Sequence, residues 1–460
     1  MSSACYNAHK GGVFMIQRKV SASIKDWYKE SGKHALLISG ARQVGKTFSI
    51  REALKEFGKD YLEVNLIEHP EARLIFESAV TIEDLLTGLS GVMAHSFIKG
   101  ETIIFIDEVQ ELTDIVTKIK FWVDEGSFRY ILSGSLLGIE LKSLRSVPVG
   151  YLREITMFPL DFEEFLLASG VVSETIDDLK DCFSTHKPVT DVVHEKIMQH
   201  FVRYLVVGGM PEAVWEYVNS YDINKVDAIQ KSIIEQYKLD FTKYEQQDKK
   251  LMLVSVYDQI PSQLLKQNKR FNLSDIKKGL RFERIEDSFL WLSSAGVAIP
   301  VYNATEPRIS LAQNQKASLL KLYASDVGLL TCMYGKAMRN RMLTGEGIVN
   351  LGGIYENAVV QQLHANGYDT FFYNNHRIGE LDFVIEYDNS IIPIEVKSGK
   401  DYYVHSALSK VVETEEYSVK EAIIFANCNI DIQGKKTYMP IYLSTFLRDT
   451  TTLPVLNPIK

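Results

Sequence analysis

The sequence predicts an α/β protein made of several domains, and three observations lead to this fold class. The first third of the chain alternates short apolar strands with helical patterns, and a glycine-rich turn joins its first strand to a helix. From about residue 351 the pattern is a helix, three strands, a helix and a strand. A chain of 460 residues is also too long for one compact core, which favours about three domains.

The composition excludes several classes of protein. With 46% hydrophobic and 24% charged residues, the chain has the balance of an ordinary globular protein. No stretch approaches the roughly 20 apolar residues of a membrane helix, and the first 20 residues lack the apolar core of a signal peptide. We therefore expect a cytoplasmic protein without a membrane partner.

The cysteines and the net charge exclude further classes of protein. The four cysteines are far apart and form no Cys-x-x-Cys pair, which argues against a zinc ribbon and a disulfide framework. The net charge of -8 does not indicate a general nucleic-acid binder, because phosphate binding depends on clustered lysine and arginine. Any contact with DNA must therefore come from a local basic patch.

The first domain is predicted from four apolar strands separated by helical patterns. These strands lie at residues 35–39, 61–65, 102–106 and 129–133. Continuous apolar strands alternating with helices are typical of a parallel sheet covered on both faces. We assign residues 15–158 to this nucleotide-binding domain.

The turn after the first strand is a complete phosphate-binding loop, the P-loop, with the sequence GARQVGKT at residues 40–47. In such a loop, glycines let backbone N–H groups point at phosphate oxygens, Lys46 reaches the β and γ phosphates, and Thr47 offers a hydroxyl to Mg²⁺. The motif follows a strand and opens a helix, which is the context that the chemistry requires. The residues expected to contact ATP are Gly40, Arg42, Gln43, Val44, Gly45, Lys46, Thr47, Phe48 and Ser135.

The second half of the ATP site is predicted at the end of a neighbouring strand. Asp107 would bind Mg²⁺ through water, and Glu108 would act as the general base that polarises the attacking water. The alternative is that both acids only cap the next helix, since acids favour helix N-termini. Ser135 could sense the γ phosphate, or it could belong to an ordinary turn.

Three further domains follow in our interpretation. Amphipathic helical patterns predict a helical lid at residues 159–246, and short helices followed by a strand at 297–301 predict a winged-helix-like domain at 247–345. Basic residues cluster in that domain and could grip DNA, or could be a solvated face or a protein contact. They are Lys266, Lys269, Arg270, Lys277, Lys278, Arg281 and Arg284.

The last domain, at residues 346–460, carries the pattern of a metal-dependent nuclease. Glu395 and Lys397 are two apart on a predicted strand and project from the same face, and Asp382 lies on the strand before. Asp382 and Glu395 would hold Mg²⁺ with Glu356 from the preceding helix, and Lys397 would position the attacking water. The expected chemistry is phosphodiester hydrolysis, and the alternative is a structural ion pair or a polar strand face.

Several strings together resemble one family: AAA-plus-type ATPases of bacteria and archaea joined to a C-terminal domain of the restriction-endonuclease-like, PD-(D/E)XK type. The strings are residues 40–47, 105–110, 157–165, 208–212 and 379–383, together with 395–397. The resemblance implies an α/β P-loop NTPase sheet with a nuclease-like α/β domain at the C-terminus.

One departure from this family concerns the arginine finger. Many relatives have an arginine directly after the glycine that matches Gly150, whereas this chain has Tyr151 there. Arg145 and Arg153 are nearby substitutes, and either could instead be a solvated surface charge. The identity of a finger, and with it a homo-oligomer that hydrolyses ATP between subunits, therefore stays open.

These patterns lead to two main functional hypotheses, both with ATP and Mg²⁺ as cofactors. In the first, the chain is an ATPase whose nucleotide state controls a Mg²⁺-dependent nuclease acting on DNA. In the alternative, it is an ATP-driven switch that binds DNA or a protein partner, and the nuclease-like domain is a catalytically idle scaffold. A small-molecule kinase is a weaker third hypothesis, because the sequence shows no separate pocket for an acceptor molecule and Glu108 is suited to activating water.

Overall fold

A computed structural model describes residues 16–30, 32, 34–135, 150–243, 247–345 and 351–449. The chain divides into two compact units. The first, here the P-loop unit, comprises the described residues of Met15–Pro159 with Leu290–Val297. The second, here the C-terminal unit, comprises those of Leu160–Phe289 and Ala298–Lys460.

The P-loop unit alternates strands and helices along most of its length. Its described elements are α1 (Val20–Lys29), β1 (Ala35–Ser39), α2 (Lys46–Phe57), β2 (Tyr61–Asn65), α3 (Pro70–Ser78), α4 (Ile82–Met93), β3 (Ile103–Asp107), α5 (Asp114–Glu125), β4 (Arg129–Ser133) and β5 (Leu152–Thr156).

These five strands form a parallel sheet in the order β2-β3-β4-β1-β5. Every residue of β1 and β3 is buried, as expected for strands covered on both faces. The predicted parallel P-loop sheet is therefore confirmed. The expectation that the strand of Asp107 neighbours the strand before the loop is wrong, because β4 lies between β1 and β3.

The C-terminal unit begins with helices. They are α6 (Phe162–Ala168), α7 (Ser173–Thr185), α8 (Asp191–Val207), α9 (Pro211–Ser220), α10 (Ile223–Lys243) and α11 (Gln247–Leu265), followed by α12 (Glu286–Ser294), whose last residues belong to the P-loop unit. Later helices are α13 (Val327–Tyr334), α14 (Lys336–Thr344), α15 (Gly352–Ala365) and α16 (Ser406–Glu413).

An eight-stranded mixed sheet forms the other part of this unit, in the order β12-β13-β11-β10-β9-β8-β6-β7. Its strands are β6 (Ala298–Ala304), β7 (Gln315–Ala324), β8 (Phe371–Asn375), β9 (Gly379–Tyr387), β10 (Ser390–Lys397), β11 (Ala422–Ala426), β12 (Asp431–Gln433) and β13 (Lys436–Pro440).

The sheet crosses the domain boundary that we placed at residue 345. Strands β6 and β7 lie in the predicted winged-helix-like range, yet β6 pairs in parallel with β8. The physical reason is that β6 is largely buried and needs a hydrogen-bonding neighbour on both edges, which β7 and β8 provide. One continuous sheet therefore brings residues of the middle segment to strands β8, β9 and β10.

The Gly208-Gly209 pair has a steric explanation within this unit. A Cβ atom on Gly208 would lie 2.2 Å from Asp326 Oδ1, and one on Gly209 would lie 2.0 Å from the carbonyl oxygen of Leu160. The Gly209 amide donates to the Asp326 carboxylate at 2.6 Å, and that carboxylate also caps α13. Glycine is therefore required because the end of α8 lies against two other segments.

None of the helices in the described ranges is both long enough and apolar enough to cross a lipid bilayer.

Candidate active sites

The P-loop adopts the backbone conformation that its glycines permit. Gly45 precedes α2 with a φ of 92° and Gly40 has a φ of 141°, both in the region that side chains with a Cβ rarely adopt. A Cβ on Gly40 would lie 2.2 Å from the carbonyl oxygen of Met157. The loop therefore needs glycine both for its turn and for its close approach to the chain beyond β5.

Lys46 is buried at the start of α2. Its ammonium group donates to the carbonyl oxygens of Gly40 at 3.2 Å and Ala41 at 2.9 Å. Burial lowers the pKa of Lys46 to about 8, although the nearby charges of Glu108 and Asp107 oppose this shift. A buried ammonium group held by neutral carbonyl groups is suited to meet the negative charge of a triphosphate.

Thr47 and Asp107 come together as the predicted Mg²⁺ site requires. The Thr47 hydroxyl donates to Asp107 Oδ2 at 2.8 Å, and Asn65 Nδ2 lies 3.5 Å from the same oxygen. The Ser133 hydroxyl and the Glu108 amide donate to Asp107 Oδ1. A hydroxyl and a carboxylate in contact are oxygen donors that fit Mg²⁺ in a nucleotide site, and the ion would neutralise phosphate charge there.

Glu108 has an unusual backbone. Its φ of 59° lies in the left-handed region, which is uncommon for residues other than glycine. Its carboxylate accepts a hydrogen bond from Gln110 Nε2, and its amide is held by Asp107. Such conformations persist when surrounding contacts fix them and are common at active sites. The role of Glu108 as a general base stays a prediction.

The remaining predicted contact residues line the loop. Arg42 Nε donates to the Ser135 hydroxyl at 3.4 Å, so the loop and the end of β4 are in contact. Gln43 has a φ of 65°, and Val44 is fully buried. Phe48 is 50% exposed, which leaves its ring available to a ligand.

Sequence reasoning missed Arg18. Its guanidinium donates to the carbonyl oxygens of Val44 at 2.8 Å and Phe158 at 2.7 Å, so it ties the P-loop to the segment after β5. Nothing in the sequence around Arg18 distinguishes it from other basic residues, because its partners are backbone carbonyl groups far along the chain.

The arginine-finger candidates stay predictions. Arg145 lies outside the described residues. Arg153 forms an ion pair with Glu30 within the P-loop unit. Tyr151 donates to Asp124, and this hydrogen bond raises the pKa of the Tyr151 hydroxyl.

The predicted nuclease-like residues meet on one face of the β9–β10 hairpin. Lys397 Nζ lies 3.0 Å from Glu395 Oε2, and the Val396 amide donates to Asp382 Oδ2 at 2.9 Å. Burial, followed by the charge of Asp382, raises the pKa of Glu395 to about 8. Burial also opposes ionisation of Asp382, but the charges of Lys321 and Lys269 lower its pKa below the usual value.

Glu356 contacts cations that sequence reasoning did not place near it. Lys269 Nζ lies 2.6 Å from Glu356 Oε1, and Lys321 Nζ lies 3.8 Å from Oε2, which also accepts from the Tyr323 hydroxyl at 2.8 Å. Lys321 lies 2.8 Å from Glu380 Oε1 as well. A signal for Lys321 was present, since it is a lone charge in the apolar run Leu-Leu-Lys-Leu-Tyr-Ala.

This arrangement does not fit the metal site that we predicted for the C-terminal unit. Among the residues that the structure describes, no three histidine, cysteine, aspartate or glutamate side chains are grouped so that they could hold a metal ion. The physical reason is that Lys269 and Lys321 already neutralise Glu356, the carboxylate needed to complete the set with Asp382 and Glu395. In this arrangement the acids are an ion-pair cluster.

The basic segment predicted to grip DNA divides into two groups. Lys266 pairs with Asp275, Lys269 with Glu356, and Arg270 Nε lies 3.9 Å from Glu380 Oε2. These three cations therefore face acids of the same unit. The other four are exposed, namely Lys277, Lys278, Arg281 and Arg284.

Three family models match the chain. Residues 32–166 match an AAA domain, residues 198–340 match a domain of unknown function (DUF8612), and residues 351–445 match another (DUF4143). No curated protein matches the chain. The first match covers the parallel sheet, so this part of the P-loop unit is an AAA-type domain. The restriction-endonuclease-like assignment of the C-terminal unit stays a prediction.

Solved structures that resemble the chain include a Walker-type ATPase of Pyrococcus abyssi, at 15% identity over 70% of this chain and 96% of that one, with a TM-score of 0.41. A structure of Drosophila ORC bound to DNA matches at 12% identity over 71% and 95%, with a TM-score of 0.26. The Pif1 helicase from Candida albicans matches at 14% identity over 42% and 48%, with a TM-score of 0.23.

Proposed function

We propose that the P-loop unit binds ATP with Mg²⁺ and hydrolyses it. The observation that carries this proposal is the contact between Thr47 and Asp107 beside the buried ammonium group of Lys46. Lys46 would hold the β and γ phosphates, and Thr47 and Asp107 would hold the ion. Glu108 would orient and deprotonate the attacking water.

Lys46→Ala tests this proposal through ATP binding. Hydrogen bonds to charged groups contribute about 1.5–3 kcal/mol each, so we expect ATP to bind roughly 10- to 100-fold more weakly. Isothermal titration of the full chain with MgATP measures the change. Lys55→Ala is the matched control, since Lys55 lies on the same helix and bonds Glu52 at the surface. Equal affinities for wild type and Lys46→Ala would contradict the proposal.

For the C-terminal unit we propose hydrolysis of DNA phosphodiesters under control of the nucleotide state. The supporting observation is that Asp382, Glu395 and Lys397 lie together on one hairpin face, where burial raises the pKa of Glu395 to about 8. Lys397 would hold a water or a phosphate oxygen. Mg²⁺ is the cofactor proposed for this cleavage, although Lys269 and Lys321 neutralise Glu356 in the described arrangement.

Lys397→Ala distinguishes an active nuclease from the alternative, a nuclease-like domain that serves only as a scaffold. We expect Lys397→Ala to lose Mg²⁺-dependent cleavage by roughly 100-fold or more, the usual scale for a positioned proton-transfer group, while ATP hydrolysis continues. Cleavage is measured on single- and double-stranded DNA with and without ATP. Lys400→Ala is the control, because Lys400 is exposed beyond the same strand. If wild type cleaves neither DNA, the domain is a non-cleaving scaffold of an ATP-driven switch.

A further inference from the structure

A cleft between α10 and α14 of the C-terminal unit, here the α10–α14 cleft, lies outside both candidate active sites. Its volume of about 490 Å³ is in the range of small-molecule sites. Polar and charged side chains line one part of it, and apolar side chains line the rest. The polar ones are Asn224, Asp227, Lys336, Arg339 and Asn340, and the apolar ones are Ile223, Ala337 and Leu343.

Arg339 is the buried cation of this cleft, with only 2% of its surface exposed. Its Nη1 atom donates to Asp227 Oδ1 at 2.7 Å, and its Nη2 atom donates to Gln230 Oε1 at 2.7 Å and to the carbonyl oxygen of Val206 at 3.0 Å. The third nitrogen, Nε, is buried and has no hydrogen-bond partner among the described residues. A buried donor without an acceptor is costly, so an acceptor oxygen from a ligand would stabilise Arg339.

The α10–α14 cleft carries more positive than negative charge. Besides Arg339, two lysines face the carboxylate of Asp227: Lys231 Nζ lies 2.9 Å and Lys336 Nζ lies 3.8 Å from its Oδ2. Burial opposes ionisation of Asp227, but the hydrogen bond from Lys231 and the charge of Arg339 lower its pKa below the usual value. Three cations around one carboxylate leave two positive charges in excess, and this surplus attracts an anion with two negative charges.

Helix α14 begins in the cleft, with Lys336 and Ala337 in its first turn. No side chain of the described residues caps this end of the helix, and the first turn holds no acidic residue. A helix N-terminus carries partial positive charge and offers backbone amides to anions. Helix α10 also begins here, but Asp222 caps it by accepting from the Asn224 amide at 2.8 Å. The start of α14 is therefore the helix end that can receive an anion.

We propose that the α10–α14 cleft binds a small phosphate monoester. The phosphate would lie at the start of α14 and accept hydrogen bonds from Arg339 Nε and the Lys336 ammonium group. A phosphate monoester carries close to two negative charges at neutral pH, which matches the surplus of the cleft. The organic part of the ligand would pack against Ile223 and Leu343. The alternative is that Arg339 only ties α8, α10 and α14 together, which leaves Nε and the surplus charge without a role.

The test titrates phosphate monoesters into the full chain carrying Lys46→Ala, so that the P-loop contributes little to binding. The probes are AMP and glucose 6-phosphate, compared with adenosine and glucose by isothermal titration calorimetry at fixed ionic strength. We expect one or both esters to bind with millimolar affinity or tighter, and neither unphosphorylated compound to bind. The ester that binds more tightly identifies the organic part as a nucleoside or a sugar.

Ala337→Glu, added to this parent, distinguishes a ligand site from a structural ion-pair cluster. Ala337 is exposed in the first turn of α14, where a carboxylate favours the helix and competes with the phosphate. We expect thermal unfolding like that of the parent and loss of ester binding. Lys336→Ala should weaken binding roughly tenfold, the scale of one lost hydrogen bond to a charged group. Arg341→Ala is the matched control, because Arg341 is exposed on the same helix outside the lining of the cleft.

Two results overturn the inference. One is that neither ester binds the parent with millimolar affinity. The other is equal ester affinity of the parent and Ala337→Glu, which would place the bound ester elsewhere. Neither result bears on the proposed ATP hydrolysis or DNA cleavage, because those functions are tested at Lys46 and Lys397.

Discussion

Glu108→Gln is expected to lower the turnover number for ATP hydrolysis by roughly 100- to 10,000-fold, the range that a positioned general base contributes. Glutamine keeps the shape of the side chain and its polarity but cannot accept a proton. ATP binding should survive, because Lys46, Thr47 and Asp107 are untouched. The measurements are steady-state ATP hydrolysis and titration with MgATP.

The control for this prediction is Glu111→Gln. Glu111 lies three residues away and forms an ion pair with Arg73, so its loss should leave turnover within a few-fold of wild type. The assignment of the base is wrong if Glu108→Gln keeps more than a tenth of the wild-type rate. Weaker ATP binding in that variant would instead point to a structural role for the left-handed backbone at Glu108.

Lys321→Met is expected to lower the free energy of unfolding of the C-terminal unit by about 3–5 kcal/mol, the usual effect of removing one partner of a buried ion pair. Lys321 and Glu356 are both buried, and Glu356 would lose one of its two neighbouring cations. Burial already raises the pKa of Glu356, so a lost cation raises the cost of its charge further. Urea denaturation, with hydrogen exchange of β7 peptides, measures the loss.

Two further variants serve as controls for this second prediction. Lys316→Met lies on the exposed half of the same strand and should change stability by less than about 0.5 kcal/mol, as surface substitutions usually do. Adding Glu356→Gln to Lys321→Met should restore part of the loss, because a neutral amide needs no counter-ion. Equal stability of Lys316→Met and Lys321→Met would show that the contact contributes nothing to the fold.

Much of the fold could be predicted because the local patterns are strong. Helix α6 lies in the segment where helical patterns were predicted, and Asp382 and Glu395 are found on the consecutive strands β9 and β10, as predicted. Their turn, Asp388-Asn389, has positive φ at both residues, as a two-residue hairpin requires. The same alternation correctly placed Glu395 and Lys397 on one face.

Such local patterns could not predict the order of the strands in either sheet. Local periodicity indicates neither the position of β4 between β1 and β3 nor the pairing of β6 with β8. Both depend on which buried edges find a partner, and this is decided by the whole sheet. For the same reason local patterns did not show that β6 and β7 of the middle segment join the sheet of β8–β13.

The sequence by itself determined the phosphate-binding site, since loop, lysine and hydroxyl are contiguous and the strand, turn and helix around them are local structure. Only the tertiary structure decided that the acidic side chains of the C-terminal unit are paired with lysines. Glu356 meets Lys269 and Lys321 across 87 and 35 residues of chain respectively. Charges buried together must be balanced wherever the chain can supply a partner, and the identity of that partner follows from packing.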